Sequence, residues 1–449
     1  MQQINDFFTL INGYLWGWPM IVLLLGTHLF LSVRLRFPQR KILKAIRLSV
    51  SKDKDSTGDV SQFGALATAL AATIGTGNIV GVALAVTTGG PGAVFWCWIC
   101  GFFGMATKYS EALLAVKYRV KDTEGRMLGG PMYALERGLH QKWLAVLFAI
   151  FTALAAFGIG CTVQANAIST ISFETYGITH WMTGLFITIL AAAVLLGGVK
   201  RIASVCGKLV PFMAAYYVIG CVVLLYMNRA YLGQAVSLIV TSAFTPTAAG
   251  GGFIGATVMM AARYGIARGL FSNESGMGSA PIIAAAARTK NPVRQALVSS
   301  TGTFWDTVVI CALTGIVLVS SILAYPDVST ADGAALTKAA FSKLPLGPHV
   351  LNLAILTFAL STILGWSYYG ERAMEYLAGI RAANFYRYVY VLAVFLGSIV
   401  SLDIIWNVAD SLNALMAIPN LISLLLLSGV IARETRKYLW ENRLDEAGD

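Results

Sequence analysis

Long apolar runs alternate with short polar segments from one end of the chain to the other. A run of about 20 apolar residues can cross the hydrocarbon core of a membrane as a helix. The pattern predicts about 11 spans, at 15–33, 63–86, 93–118, 144–170, 181–196, 209–226, 253–286, 296–324, 351–377, 388–400 and 404–431. The segment 231–252 is polar and rich in glycine, so we expect a loop or a re-entrant piece there. The predicted fold class is an all-α polytopic membrane protein with a single transmembrane domain, 1–449.

Two of the predicted spans carry glycines and polar side chains at their centres. The span 63–86 contains TIGTGN at 73–78, and the span 253–286 contains SNESGMGS at 272–279. Glycine weakens a helix, and every backbone group freed inside hydrocarbon must find a partner. We therefore predict two discontinuous helices. A helix N-terminus attracts carboxylate and loose carbonyls coordinate cations, so a small zwitterion and a metal cation are the expected ligands.

The order of the spans predicts an internal repeat. One leader helix, 15–33, precedes ten spans that divide into halves of five, 63–226 and 253–431, followed by a tail at 432–449. Because five is odd, the halves run through the membrane in opposite directions, and each half opens with a broken span. Matching interruptions in two inverted halves indicate the binding site of a secondary transporter.

Composition and charge agree with a membrane protein. Of 449 residues, 57% are hydrophobic and 12% are charged, and the mean hydropathy is +0.69. The net charge of +11 comes from lysines and arginines in short loops such as 34–54 and 117–126. Cytoplasmic loops carry this excess, so it indicates orientation rather than nucleic-acid binding. It places the N-terminus outside and the C-terminal tail in the cytoplasm.

Cysteines and histidines predict neither a disulfide framework nor a metal centre. The six cysteines lie in or beside apolar spans. The histidines are scattered over the first span and the loops, where we expect surface or interfacial positions: His28, His140, His180 and His349. An intramembrane enzyme would need a nucleophile, base or metal set deep in the bundle, and a channel would need rings of charge or repeated carbonyl filters. Neither pattern is visible.

Several charged residues fall inside predicted spans, and four of them suggest a specific role. Lys108 and Glu111 are three residues apart and are expected to pair or to extend toward one membrane face. Asp306 is a functional candidate, either in a gate or in coupling, without an assignable partner. Glu274 either accepts N–H bonds from the second broken segment or contacts the bound solute.

Five sequence blocks, spread over nearly the whole chain, identify a family. They are 72–81, 89–98 (with Phe95-Trp96-Cys97-Trp98), 129–133 (GGPMY), 268–281 and 364–371 (LGWSYYGE). In these blocks the sequence resembles the bacterial alanine-or-glycine:cation symporters, which are sodium:alanine or glycine symporters. It departs from their pattern at Cys97, where methionine is common, and at Ser275, where alanine is common.

The resemblance implies a fold and a function. The fold is the inverted repeat of the amino-acid and neurotransmitter sodium symporters, preceded by one extra helix. The function is secondary active uptake of alanine or glycine with sodium by alternating access, with no enzymatic activity and no cofactor beyond the coupling ion. Proton coupling or a broader range of neutral amino acids, including serine, glutamine and D-alanine, stays open. The expected partners are the amino acid, sodium and membrane lipid, without nucleic acid or an obligate protein partner.

Each part of a bound amino acid needs its own partner. We expect the carboxylate at the N–H groups of the first break and the Asn78 amide, although Gly77 and Gly81 also fit a GxxxG packing face. Acceptors for the ammonium are carbonyls of the second break, Thr362 and Gln164; the last resembles the family's substrate-contacting glutamine and could instead bond Asn166 or a backbone group. The predicted substrate set is Gly75, Thr76, Gly77, Asn78, Gln164, Asn273, Ser275, Gly276, Gly278, Thr362 and Trp366.

Two further predictions concern the side chain and the ion. Trp366, one turn beyond Thr362, would limit the size of the substrate side chain or would simply pack in the core. Sodium prefers hard oxygen ligands, and residues spaced i, i+3 and i+4 share one helix face. The hydroxyls could equally bond back to their own helix. The predicted sodium ligands are Ala71, Ile74, Phe358, Ser361 and Thr362.

Overall fold

The computed structural model describes residues 2–51, 56–246, 256–328, 333–400 and 403–447. These residues are mostly helical. The α-helices are α1 Gln2–Leu15, α2 Trp18–Arg34, α3 Ile42–Ser49, α4 Gln62–Thr73, α5 Val82–Gly89, α6 Gly92–Lys117, α7 Pro131–Tyr133, α8 Lys142–Phe157, α9 Val163–Tyr176, α10 His180–Leu195, α11 Gly198–Met227, α12 Leu232–Ser242, α13 Val258–Asn273, α14 Pro281–Ala284, α15 Pro292–Thr303, α16 Ala312–Ala324, α17 Gly333–Phe341, α18 Gly347–Ile399, α19 Asp403–Leu426 and α20 Ser428–Thr435.

Shorter elements join these helices. The π-helical segments are Gly77–Gly81, Ala134–Gly138, Gly158–Thr162, Phe304–Cys311 and Arg436–Trp440, and the 3-10 segments are Pro38–Lys41 and Arg229–Tyr231. Strands β1 Val120–Lys121 and β2 Met127–Leu128 pair antiparallel, with Val120 opposite Leu128.

Helices occupy each of the predicted spans. By length and apolar composition, six helices of the described residues can cross a membrane, or seven when the bent pair α4 and α5 counts as one span. Three details differ from the sequence prediction. The leader is preceded by the extra helix α1; 231–252 contains α12, with 247–252 outside the described residues; and 351–377 and 388–400 belong to one long helix, α18, which is interrupted where Gly379 has a φ of +79°.

Two helices form the framework around the broken spans. Helix α18 packs against α4, α8, α9, α10 and α11, while α6 packs against α2, α13 and α15. The fully buried side chains between them include large aromatic residues such as Trp366, Tyr369 and Phe358. The broken helices α4–α5 and α13–α14 therefore lie within protein rather than against lipid, which satisfies the requirement for irregular backbone in a membrane.

The first break lies where the sequence predicted it. Helix α4 ends at Thr73, Ile74 adopts an extended ψ of 94°, and the chain turns by 55° into the second half of the span. The N–H of Gly75 is donated to Oδ1 of Asn78 at 2.9 Å. In a continuous helix that N–H would be donated to the carbonyl of Ala71, four residues earlier. The side chain of Asn78 thus ends the hydrogen-bond ladder of α4 and leaves the Ala71 carbonyl to other donors.

Three residues of the second break have a left-handed backbone conformation. Helix α13 ends at Asn273, and Glu274, Gly276 and Gly278 have φ angles of +53°, +92° and +84°. This backbone region favours glycine, which explains two of the three positions. The freed N–H groups of Gly276 and Gly278 both donate to Oε1 of Glu111 at 3.0 Å. A carboxylate on α6 therefore holds the second break open.

Candidate functional site

The two breaks lie against each other inside the bundle. A Cβ atom added to Gly77 would lie 3.5 Å from the ring of Phe271 and 3.8 Å from the Cα of Ser272. The start of the second half of one broken helix thus packs on the end of the first half of the other. The arrangement places helix ends, with their unpaired backbone groups, at one position within the protein.

Asp306 joins the breaks through its carboxylate. The Nδ2 of Asn78 donates to Oδ1 of Asp306 at 2.7 Å, and the hydroxyls of Ser272 and Thr307 donate to Oδ2 at 3.0 and 2.7 Å. The side chains of Asn78 and Asp306 are fully buried. Sequence reasoning had found no partner for Asp306. It had also expected the Asn78 amide to receive a substrate carboxylate, whereas here both ends of that amide bind within the protein.

Four of the predicted substrate residues meet beside the first break. The Thr76 hydroxyl lies 3.4 Å from Oε1 of Gln164, and Nε2 of Gln164 donates to the carbonyl of Ile159 at 3.0 Å. A Cβ atom on Gly75 would lie 2.7 Å from Oγ1 of Thr362. A larger residue at position 75 would displace the Thr362 hydroxyl, and the space beside Gly75 is bordered by side chains that offer hydrogen-bonding oxygens.

Four of the five predicted sodium ligands, Ala71, Phe358, Ser361 and Thr362, also come together. The Ser361 hydroxyl lies 3.1 Å from the Ala71 carbonyl and 2.8 Å from the Phe358 carbonyl, and the Thr362 hydroxyl lies 3.0 Å from the Phe358 carbonyl. The bonds to Phe358 are the back-bonds that the sequence left open as an alternative. The contact with Ala71 is different, because it crosses from α18 to α4. Ile74 follows at the end of α4, with its N–H donated to Leu70.

Three residues of the second break, Ser275, Gly276 and Gly278, point toward neighbouring helices. Ser275 lies 3.1 Å from the Thr303 hydroxyl on α15. Added Cβ atoms on Gly276 and Gly278 would meet Leu24 and Phe148 respectively. Asn273 Oδ1 accepts the N–H of Ser275 at 2.9 Å. The left-handed turns thus direct Ser275, Gly276 and Gly278 toward α15, α2 and α8, while Asn273 lines a cavity together with Thr73 of the first break. The predicted acceptors for the ammonium are backbone carbonyls of this segment, and that assignment stays a prediction.

Glu274 is the residue of the second break that reaches α18. Its Oε1 accepts the indole N–H of Trp366 at 3.1 Å, and its Oε2 accepts the hydroxyl of Ser279 at 2.5 Å. The other side of Trp366 packs tightly, since a Cβ atom on Gly160 would lie 2.2 Å from the Cβ of Trp366. Glu274 therefore holds the second break to α18 by way of the predicted size-limiting tryptophan.

A cavity of about 530 Å³ leads from the first break to the surface. Thr76 and Gly77 lie at its inner end, and Phe271 and Trp406 line its walls. Glu174 and Lys338, which form an exposed ion pair with N and O atoms 3.4 Å apart, mark the other end. The breaks are thus reachable from one side of the bundle.

The opposite side of the breaks is closed by backbone hydrogen bonds. The N–H of Asp59 donates to the carbonyl of Ala286, and the N–H of Arg288 to the carbonyl of Val60, each at 2.8 Å. The Arg119 guanidinium donates to the carbonyls of Ala285 and Ala287. These contacts join the segment before α4 to the segment after α14. One side of the site is open while the other is shut.

Two predictions about single residues were wrong. His28 is completely buried, because α2 packs on α6, and its Nδ1 lies 2.7 Å from the Thr107 hydroxyl. Lys108 and Glu111 are also buried and form no ion pair with each other among the described residues. Glu111 instead binds the second break. Its position within a predicted span suggests a functional role, but the sequence spacing does not reveal which residues it contacts.

Comparison with known proteins decides the family. The sequence model of the sodium:alanine symporter family matches residues 1–448. The chain belongs to this family. It is 51% identical to the sodium/alanine symporter AgcS of Methanococcus maripaludis over 445 residues, which cover 96% of this chain and 97% of that protein. The expected family, and with it a transporter that crosses the membrane several times, is confirmed.

Solved structures confirm the fold of this symporter. MhsT in complex with L-phenylalanine superposes with a TM-score of 0.58 at 14% identity, covering 86% of this chain and 95% of that chain. A Na⁺-coupled sialic acid symporter in a substrate-bound outward-open state gives a TM-score of 0.53 at 12% identity, covering 94% and 86%. The chain has the expected fold of sodium symporters with two discontinuous helices.

Proposed function

We propose that this sodium:alanine symporter family member couples inward sodium movement to the uptake of a small neutral amino acid, alanine or glycine, by alternating access. The observation that carries the proposal is the environment of the Ala71 carbonyl. The Asn78 side chain accepts the N–H of Gly75, which a continuous helix would donate to Ala71, and the Ser361 hydroxyl on α18 contacts the Ala71 carbonyl instead. A cation bound there would join a broken helix to the framework helix.

The ion site uses neutral oxygen ligands. The carbonyls of Ala71, Ile74 and Phe358 and the hydroxyls of Ser361 and Thr362 supply the hard oxygens that a sodium ion requires. Binding would replace the hydroxyl-to-carbonyl hydrogen bonds by ion-to-oxygen contacts. Since the ligands come from two helices, sodium favours the arrangement in which α4 and α18 are close.

The amino-acid site lies beside the first break. Thr76 and Gly77 begin the second half of the broken helix, where backbone N–H groups lack partners within the helix and attract a carboxylate. The oxygens of Gln164 and Thr362 accept bonds from the ammonium. Trp366, held by Glu274 and Gly160, limits the volume for the side chain. The placement of Asn273, Ser275, Gly276 and Gly278 supports a role in shaping the second break rather than direct contact.

The direction of transport depends on the orientation of the protein in the membrane, which the charges of the loops indicate. The basic loops favour a cytoplasmic position for the β1–β2 side, with the Glu174 and Lys338 end of the cavity outside. The N-terminus is then outside and the C-terminus is in the cytoplasm of the plasma membrane, with inverted halves at 63–226 and 253–431. In this orientation the open cavity receives substrate and the closed contacts at Arg119 must separate for release.

Uptake by proteoliposomes tests the proposal. Purified protein should accumulate radiolabelled L-alanine when sodium chloride is outside and potassium chloride inside, and the signal should collapse in choline chloride. A competition panel of glycine, serine, glutamine and D-alanine defines the specificity. Uptake that is equal with and without a sodium gradient, or that follows a proton gradient instead, would overturn the sodium-coupling proposal.

A further inference from the structure

Lys108 is a buried, positively charged residue that has no role in the site described above. It lies on α6 with only 3% of its surface exposed, and its Nζ has no hydrogen-bond partner among the described residues. A charged ammonium within a membrane protein is costly and marks a functional position by default. The usual solution, a direct ion pair with Glu111 one turn away, is not adopted.

The Lys108 side chain borders a small cavity between the two breaks. The cavity has a volume of about 10 Å³, room for about one water molecule. Thr73, the last residue of α4, and Asn273, the last residue of α13, both line it, together with Ser299 of α15. The cavity therefore touches both broken helices at the residues where they break.

The chemistry of the cavity identifies its occupant. Apart from an interaction with the Cys100 thiol, Nδ2 of Asn273 has no partner in the part of the chain that the structure describes, so two buried donors line the same space. A cation is excluded by the ammonium of Lys108. An additional anion is disfavoured because the carboxylates of Glu111 and Glu274 already act electrostatically on that ammonium. A single water molecule satisfies both donors through its lone pairs.

The same ammonium acts on every carboxylate that organises the breaks. Glu111 holds the N–H groups of the second break, Glu274 holds Trp366, and Asp306 holds Asn78. Lys108 interacts electrostatically with each of these carboxyl groups. Because the three groups lie on different elements, one fixed cation acts on both the first break and the second.

We propose that Lys108 is a positioning residue that links the two breaks, through one water molecule in the cavity and through its charge, and so sets how strongly sodium and the amino acid promote each other's binding. The inference rests on the sodium-coupled function proposed above. It adds the element that carries coupling between an ion site on α4 and α18 and a substrate site that Glu274 and Trp366 border. Lys108 contacts neither ligand.

The test measures coupling rather than activity. The dissociation constant of L-alanine is measured for the full-length protein in choline chloride and in sodium chloride, and the ratio of the two is the coupling. Allosteric couplings are commonly about 5- to 150-fold. In Lys108→Met we expect the ratio to fall at least about fivefold toward one, because the ammonium and its water contact are lost. Lys108→Arg, which keeps the charge, should retain a larger ratio than Lys108→Met.

Controls separate this role from a structural one. Lys117→Met, on the same helix but paired with Glu434 at 2.7 Å, should leave the ratio unchanged. Ala112→Val fills the cavity while leaving Lys108 in place and should also lower the ratio, which provides a readout if Lys108→Met does not fold. Ratios equal to wild type in both Lys108→Met and Ala112→Val, even with a lower Tm, would overturn the role of Lys108. A wild-type ratio near one would overturn both this inference and the proposed symport.

Discussion

The amide nitrogen of Asn78 lies 2.7 Å from a carboxylate oxygen of Asp306, while the amide oxygen of Asn78 receives the N–H of Gly75. One side chain thus ends the ladder of α4 and ties the break to the helical segment that carries Asp306. The consequence is that the first break is held by the protein itself. Sodium and the amino acid meet a backbone that is already open, which reduces the ordering cost of binding.

We expect Asn78→Ala to reduce L-alanine binding by at least about tenfold, the equivalent of about 1.4 kcal/mol. Without the side chain, the N–H of Gly75 can return to the Ala71 carbonyl and Asp306 loses a donor. Scintillation-proximity binding in detergent measures the effect. Asn228→Ala removes a buried asparagine that bonds Ser320 and Ser321 elsewhere and should bind alanine normally. Native affinity in Asn78→Ala would show that the break does not depend on this amide.

The proposed sodium site predicts how removal of its hydroxyl ligands changes the ion dependence of uptake. Replacing Ser361 and Thr362 together by alanine removes two of the proposed oxygen ligands, so the sodium concentration for half-maximal uptake should rise about tenfold or more, about 1.4 kcal/mol. The matched control is Thr357→Ala with Ser367→Ala, which removes two buried hydroxyls of α18 whose hydrogen bonds, among the described residues, go to the backbone of that helix. A sodium dependence that is the same in both double variants would contradict the ligand assignment.

How far the sequence predicts this site depends on which force places each residue. Helix periodicity placed Ser361 and Thr362 on one face of α18, and glycines with polar neighbours located both breaks, because propensity and burial act locally there. The directions of Ser275 and Gly276 were not predictable. They follow from the left-handed φ angles of Glu274, Gly276 and Gly278, which no hydrophobic pattern encodes.

Contacts between residues that are distant in the chain also could not be predicted from the sequence. Glu111 and the N–H groups of Gly276 and Gly278 are more than 160 residues apart, and their contact depends on how α6 packs on α13. The burial of His28 has the same origin, since the leader helix α2 packs on α6. Packing between helices, rather than any property of one helix, decides such contacts.

The Glu111 contacts predict a stability effect. In Glu111→Ala the N–H groups of Gly276 and Gly278 and the amide of Asn420 lose their shared acceptor. An unsatisfied buried donor costs about 1–3 kcal/mol, so the Tm in detergent should fall by several degrees. Glu111→Gln retains an acceptor oxygen and should lose less. Removing the partly exposed Glu434, which pairs with Lys117, should have little effect; an equal loss there would argue against a special role for Glu111.

The position of Trp366 predicts a change in specificity. In Trp366→Leu the bond to Glu274 disappears and space opens next to Gly160. Alanine should bind more weakly, while glutamine and leucine should compete better relative to alanine than they do in wild type. Equilibrium competition against radiolabelled alanine measures the ratio. Trp143→Leu, which changes an exposed tryptophan, serves as the control. An unchanged competition order would mean that another residue limits the side chain.

Access to the cavity can be measured by cysteine labelling. All six native cysteines are buried, so background reaction with a membrane-impermeant maleimide should be low. Thr170→Cys places an exposed thiol on the cavity wall, and Glu124→Cys places one beside β1 and β2. In intact cells with the proposed orientation, external reagent should label position 170 and spare position 124, whereas both should react in permeabilised cells. Because alanine and sodium promote closure over the site, labelling at 170 should slow when both are present. Labelling of 124 from outside would reverse the orientation, and a rate at 170 that does not change with either ligand would show that this cavity is not the path to the breaks.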